Sequence, residues 1–239
     1  MTRTYTQSDF EGFLSTAGFV LSISNASAKT INESLAPNFS LMDLLMPDEL
    51  RLSNLIAELL NPSGHHGQGH SFLQAFLSVT AKRSPRAAFF LELAAAWSSP
   101  TKVTVRLEVP TMYIPSSQRR MDILLEGAGY GLMIENKPWA GDQQAQLRDY
   151  ATALQQQFGE RFAMIYLTGA GHEPSVYSIP KDDWSQRVDA GRAISLSYQP
   201  AILEWLAECE RSCRADAVRA ALRDVGRYVG SRLTARPTF

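Results

Sequence analysis

Cysteine is nearly absent from this chain: there are two in 239 residues, Cys209 and Cys213. They lie one helical turn apart and read as small apolar residues on a helix face, which suits a reducing cytoplasm and excludes a disulfide-built scaffold. No Cys/His spacing of the kind that holds zinc occurs. Long apolar runs are missing too, since none approaches the ~20 residues that a membrane span needs. Charge of one sign is not in excess either. The formal net charge is −1, so any basic surface has to be local, and strong non-specific DNA binding is disfavoured. There is no glycine-rich nucleotide loop, because "GAGYG" sits between two apolar runs and reads as a hairpin turn. Internal repeats and low-complexity linkers are also absent.

What is present suffices for a sizeable core, with 45% hydrophobic and 20% charged residues. The segment "FLSTAGFVLSISNASA" resembles a targeting sequence only superficially. Asp9 and Glu11 precede it where a basic cluster would stand, and Ser and Asn interrupt it, so no secretory signal is expected. Residues 5 to 35 read as helical with weak periodicity. "PDELRLSNLIAELLNP" is the clearest helix, with Asp48 as cap and Leu52, Leu55, Ile56, Leu59 and Leu60 as its apolar stripe. Asn61-Pro62 ends it, and the Gly-rich loop "SGHHGQG" follows. Two more helices lead to Trp97.

After Pro100 the period becomes alternating. "TKVTVRLEV", "RRMDILLE" and "GLMIENK" read as three strands, split by Pro110, Pro115 and Gly127 to Gly131. A polar helix from Asp142 to about Phe158, the strand "RFAMIYLTG", a short strand near "AISLSY" and two closing helices complete the chain. This order predicts a mixed α/β sheet flanked by helices in a single domain over 1–239. Its core spans about 45–205, with an N-terminal helical extension over 1–44 and C-terminal helix over 206–239.

Strand alternation places Arg120, Asp122 and Leu124 on one face and Met121, Ile123 and Leu125 on the other. Glu135 and Lys137 share a face opposite Ile134 and Asn136, and Arg106 points with Glu108. If these strands are neighbours, Asp122, Glu135, Lys137 and Glu108 converge at one sheet edge. Burying such charges costs several kcal/mol per ion unless compensated. A divalent cation compensates: Mg²⁺ takes one or two carboxylates together with water and phosphate, polarises a phosphodiester and activates water. The plain alternative is a surface hairpin with an ordinary Glu/Lys pair.

The pattern Asp122, then Glu135-Asn136-Lys137 after a short hairpin, resembles the PD-(D/E)XK nuclease superfamily, in particular a group of small bacterial proteins with an "ENK" motif. The resemblance is carried by "DELRLSNLIAELLNPSGHHGQGHSFLQAFL", "RRMDILLE", "MIENKPWAGDQQAQLRDY" and "ISLSYQPAILEWLAEC". It implies a restriction-endonuclease-like αβββαβ core and a Mg²⁺-dependent nuclease, with Mn²⁺ as substitute, that hydrolyses DNA. The family's metal-binding acids fall on Asp122 and Glu135, its lysine on Lys137, and its first-helix acid on Glu49. The backbone carbonyl of Asn136 is implied as a further ligand, and Glu108 is a candidate. Met121 stands where the family's proline would. Asn136 fills the variable position of the motif, so its identity puts nothing in the resemblance in doubt.

Gln146 and Tyr150, four apart on a helix, share a face and resemble a QxxxY element that touches substrate or the lysine's surroundings. An amide on a solvated helix and a tyrosine covering the core is the other reading. His66 is implied near the site or a phosphate, or else stabilises its turn. Arg120 is a candidate phosphate contact. His65, His70 and His172 read as surface residues. Arg219, Arg223, Arg227 and Arg232 read as a solvated face, with phosphate contact open. Dimers are common in this fold, which leaves a homodimer open. The competing function is an inactive nuclease shell that binds DNA or a protein partner.

Overall fold

Every residue of "FAMIYLT" is buried, and a strand covered on both faces needs helices above and below it. The computed structural model, which describes residues 6–111 and 119–233, has this three-layer arrangement. Pro115, expected to separate two strands, lies outside the described residues. Strands β1 (Thr104–Pro110), β2 (Arg120–Gly127), β3 (Tyr130–Lys137), β4 (Phe162–Thr168) and β5 (Ala193–Ser197) form one sheet in sequence order. β1, β2 and β3 are antiparallel neighbours, whereas β3, β4 and β5 run parallel. The fold class is therefore the restriction-endonuclease-like one expected.

The β2–β3 hairpin turns at Ala128 and Gly129, both with positive φ (50° and 78°). That pair of left-handed residues is what a two-residue turn between right-twisted strands requires. Parallel neighbours need a crossover. Helix α6 (Gln146–Phe158) connects β3 to β4, and α7 (Lys181–Asp189) connects β4 to β5.

On one face, Ile123, Leu125, Leu132, Ile134, Ile165 and Leu196 pack with α3 (Glu49–Leu60), α4 (Ser71–Arg83), α5 (Ala88–Ala96), α8 (Leu203–Ser212) and α9 (Asp216–Arg232). On the other, Leu124, Met133, Met164 and Tyr166 meet α6 and α7. The apolar core thus runs past residue 205: Trp205, Cys209, Leu222 and Val229 are all buried in the first cluster. A kinked turn over Tyr198–Ile202, in which Gln199 is extended (φ −114°, ψ 123°), joins β5 to α8. Helix α7 was not foreseen. Its sequence KDDWSQRVD buries only Trp184, so it has almost no apolar stripe to read.

Residues 1–41 and 42–239 are two separate compact units. The first holds α1 (Gln7–Leu35), one continuous helix. The short α2 (Leu41–Leu45) begins at the boundary between the units. In the second unit, the Met42 N–H donates to Asp224 and Arg232 pairs with Asp43, which fixes the start of that unit to α9.

Candidate active site

β3 carries the site because its last residues leave the apolar pattern without leaving the interior. Glu135 and Asn136 are fully buried and Lys137 is 7% exposed. Glu135 and Lys137 project from the α6 face, as alternation predicts, and their side chains meet: Nζ of Lys137 lies 2.8 Å from Oε1 of Glu135. The same ammonium donates to Oε1 of Glu49 at 3.0 Å. Glu49 is delivered by the first turn of α3, which Asp48 caps by accepting the Arg51 N–H at 2.8 Å. Ser53, Ile56 and Leu60 are buried along the stripe that Glu49 begins.

Asp122 enters from β2. Its Oδ2 accepts the Asn136 backbone N–H at 2.7 Å, a bond that ties the acid of one strand to the motif of the next. Burial pushes the Asp122 carboxyl up to about 6, with Lys137 and the Asn136 N–H opposing and Glu49 and Glu108 adding to the rise. Glu135 is pushed up to about 8, chiefly by burial and then by Asp122, against the pull of Lys137. Burial works to lower Lys137, but the surrounding acids, Glu135 first, outweigh it and hold the ammonium charged above its ordinary range.

Helix α6 completes the pocket. Its first residue, Gln146, donates from Nε2 to Oε1 of Glu135 at 2.7 Å and to the Tyr150 hydroxyl at 3.1 Å. The Tyr150 O–H donates to the Arg120 carbonyl at 2.5 Å. Gln146 and Tyr150 are buried, which rules out the solvated-helix reading of Gln146. Arg119 holds the same junction by donating to Asp149 at 2.8 Å and to the Gln144 carbonyl.

Oε1 of Glu135 therefore has two donors. Oε2 is buried with no hydrogen-bond partner. An orphaned carboxylate oxygen in the interior costs free energy unless something outside the chain satisfies it. A divalent cation shared with Asp122 fits that oxygen, and a protonated carboxyl satisfies it more weakly.

Several expectations are corrected. Among the described residues no three carboxylate, imidazole or thiol groups gather into a ready metal cage, although Glu108 acts on the Asp122 carboxyl across the β1–β2 pair. Glu108 has φ 51° and alternation breaks there. Leu107 packs in the first core cluster while Val109 joins the second, and their partners Ile123 and Met121 divide likewise. Met121 thus does not share a face with Ile123 and Leu125. His66 belongs to its own loop: Nε2 pairs with the Asn61 carbonyl at 2.8 Å, Nδ1 accepts the Gln68 N–H at 3.0 Å, and the ring stacks on Phe72. With both nitrogens bonded within the loop, it stabilises that turn. His70 is also tied inward, to the Thr101 carbonyl at 2.8 Å.

The Asn136 side chain is hydrogen-bonded at both of its amide atoms. Its Nδ2 donates to Ser53 at 3.0 Å and its Oδ1 accepts the Tyr198 hydroxyl at 2.7 Å, joining α3, β3 and the turn before α8 behind the acids. Arg120 stands exposed at the start of β2. Two groups escaped sequence reasoning: Tyr198, which is 62 positions from Asn136, and Asp142, which accepts from the Tyr166 hydroxyl and the Ser175 N–H. No periodic pattern marks either one.

A family model of the PD-(D/E)XK nuclease superfamily matches residues 38–223. The chain belongs to the PD-(D/E)XK nuclease superfamily. No curated protein and no solved structure matches it. Asp122, Glu135 and Lys137 lie within the matched range on the neighbouring strands β2 and β3, and the match ends within α9. Superfamily members are generally nucleases that use divalent metals. Among the described residues no helix is long and apolar enough to cross a membrane.

Proposed function

We propose that this protein is a Mg²⁺-dependent nuclease that hydrolyses phosphodiester bonds of DNA. The observation that carries the reading is the split environment of Glu135, with one oxygen gripped by Lys137 and Gln146 and the other buried and unsatisfied. Asp122 and Glu135 hold the ion, and the Asn136 carbonyl is a neutral third donor. When bound, the ion polarises the phosphodiester and lowers the pKa of the attacking water.

The chain's own groups do the rest. Gln146 fixes the rotamer of Glu135, so that Oε2 stays available. Lys137, anchored between Glu135 and Glu49, keeps a full positive charge where negative charge grows on phosphorus, a preorganised contact that needs no rearrangement during reaction. Glu49 orients that ammonium and is placed to receive a proton from water. Arg120, exposed at the start of the strand that carries Asp122, holds a flanking phosphate. Tyr150 fixes the β2 backbone against α6 and acts on the site through Gln146.

The test is cleavage of supercoiled and linear DNA in Mg²⁺ or Mn²⁺, with RNA in parallel. Wild type should cut and the Glu135→Ala, Lys137→Ala double variant should lose at least about 10³-fold while staying folded. Equal activity in both would refute the assignment. A wild type that binds DNA and metal without cutting would move the reading to a binding module, and cleavage of RNA alone would change the substrate.

A further inference from the structure

Helix α1 cannot bury its own apolar side chains. Among the described residues it is the one helix lying wholly within the first compact unit, and helices in proteins draw most of their stability from packing an apolar face. Phe10 and Leu21 are 61% and 62% exposed, and Leu35 is 73% exposed. Their placement is ordered. Phe10, Leu14, Leu21, Ile31 and Leu35, with Ala17, Ser24 and Ala28 between, fall at separations that alternate four and three along the whole helix. That is the 3.5-residue repeat of a two-stranded coiled coil, a narrower seam than the stripe of a helix covered by a globular core; Phe19 and Ile23, 66% and 51% exposed, lie off it. The Lys29–Glu33 pair, at 3.8 Å, sits away from the seam on the outer side.

We propose that α1 pairs with the α1 of a second copy of this chain. Two identical seams are matched in length and repeat by construction. Phe13 and Val20 flank the seam and are also exposed. At roughly 100 Å² for each large apolar side chain, these seven from each of two copies bury on the order of 1,400 Å², within the range of stable protein interfaces. A membrane surface is the poorer occupant, because helices that lie on one carry basic residues on their polar face, whereas α1 holds a single lysine and no arginine. The pairing is independent of the nuclease reading.

Sedimentation equilibrium and light scattering on the full chain test it. The wild type should be a dimer. Leu21→Ala with Ile31→Ala keeps good helix formers in place and should raise the dissociation constant about tenfold or more. Leu14→Asp with Leu21→Asp should give a monomer with an unchanged melting transition for the nuclease unit. Lys29→Ala with Glu33→Ala, on the outer side, should leave the dimer intact. A monomeric wild type, a dimer indifferent to both seam pairs, or a monomer that co-sediments with neutral or anionic vesicles would each overturn the proposal.

Discussion

At the scale of single residues, the burial of Glu135 sets a pH dependence whose sign is fixed. Its carboxyl is raised from an ordinary value of 4.5 to about 8 in the folded metal-free protein. The folded state therefore favours the protonated form, and the stability this group contributes is complete below about 4.5 and is lost as the pH rises through about 8. Metal-free Glu135→Gln should show a flatter fall in melting temperature over that window and a higher one at its alkaline end. Parallel curves for the two proteins in EDTA would contradict the burial argument. The same substitution should abolish cleavage, since it removes the charge and the free oxygen together. Gln146→Ala makes a milder case. It leaves both acids and Lys137 in place but frees the Glu135 side chain to turn, so kcat should fall about 10- to 100-fold with little change in KM, read from steady-state kinetics.

At the scale of elements, Asn136 joins β3 to α3 and to the turn before α8 through Ser53 and Tyr198. Asn136→Ala leaves the Tyr198 hydroxyl buried without its acceptor and removes the bond to Ser53 as well, which should cost about 1–3 kcal/mol in denaturant unfolding, while Tyr198→Phe orphans only the Asn136 Oδ1 and should cost less. An equal or reversed ranking would mean that the bond does not anchor the motif. This link was invisible in the sequence, because a single buried hydrogen bond across many residues leaves no periodic trace. What was legible were features with a period or a cap: the α3 stripe from Asp48, the three alternating strands, the turn at Ala128-Gly129, and the pairing of Glu135 with Lys137. Alternation failed at Glu108, where a positive φ reverses the faces of β1, and α7 was missed because one buried tryptophan makes no stripe. Its Pro180, its acids at 182 and 183 and its Arg187 were helix-end signals that were present to be read.

At the scale of the whole molecule, the near-neutral charge has a structural counterpart. The arginines of α9, left open as phosphate contacts, are already paired: Arg219 with Asp216, Arg223 with Glu210 at 2.6 Å, Arg227 with Asp224 at 3.2 Å and Arg232 with Asp43 at 2.9 Å. Lys82 and Arg83 share Glu204 in the same way. With those cations already partnered and a formal net charge of −1, the logarithm of DNA affinity should fall against the logarithm of salt with a slope no steeper than about −4. A slope near −8 in fluorescence anisotropy, measured in Ca²⁺ to prevent cutting, would show a basic surface that this account lacks.

The central claim is that a divalent ion occupies the space between Asp122 and the unsatisfied oxygen of Glu135. Calorimetric titration of the metal-free protein with Mn²⁺ at pH 7, repeated in buffers of different ionisation enthalpy, addresses it directly. With Glu135 raised to about 8 and Asp122 to about 6, binding should release about one proton, and both Asp122→Asn and Glu135→Gln should abolish the heat. Unaltered binding in either variant, or binding with no proton released, would contradict the claim.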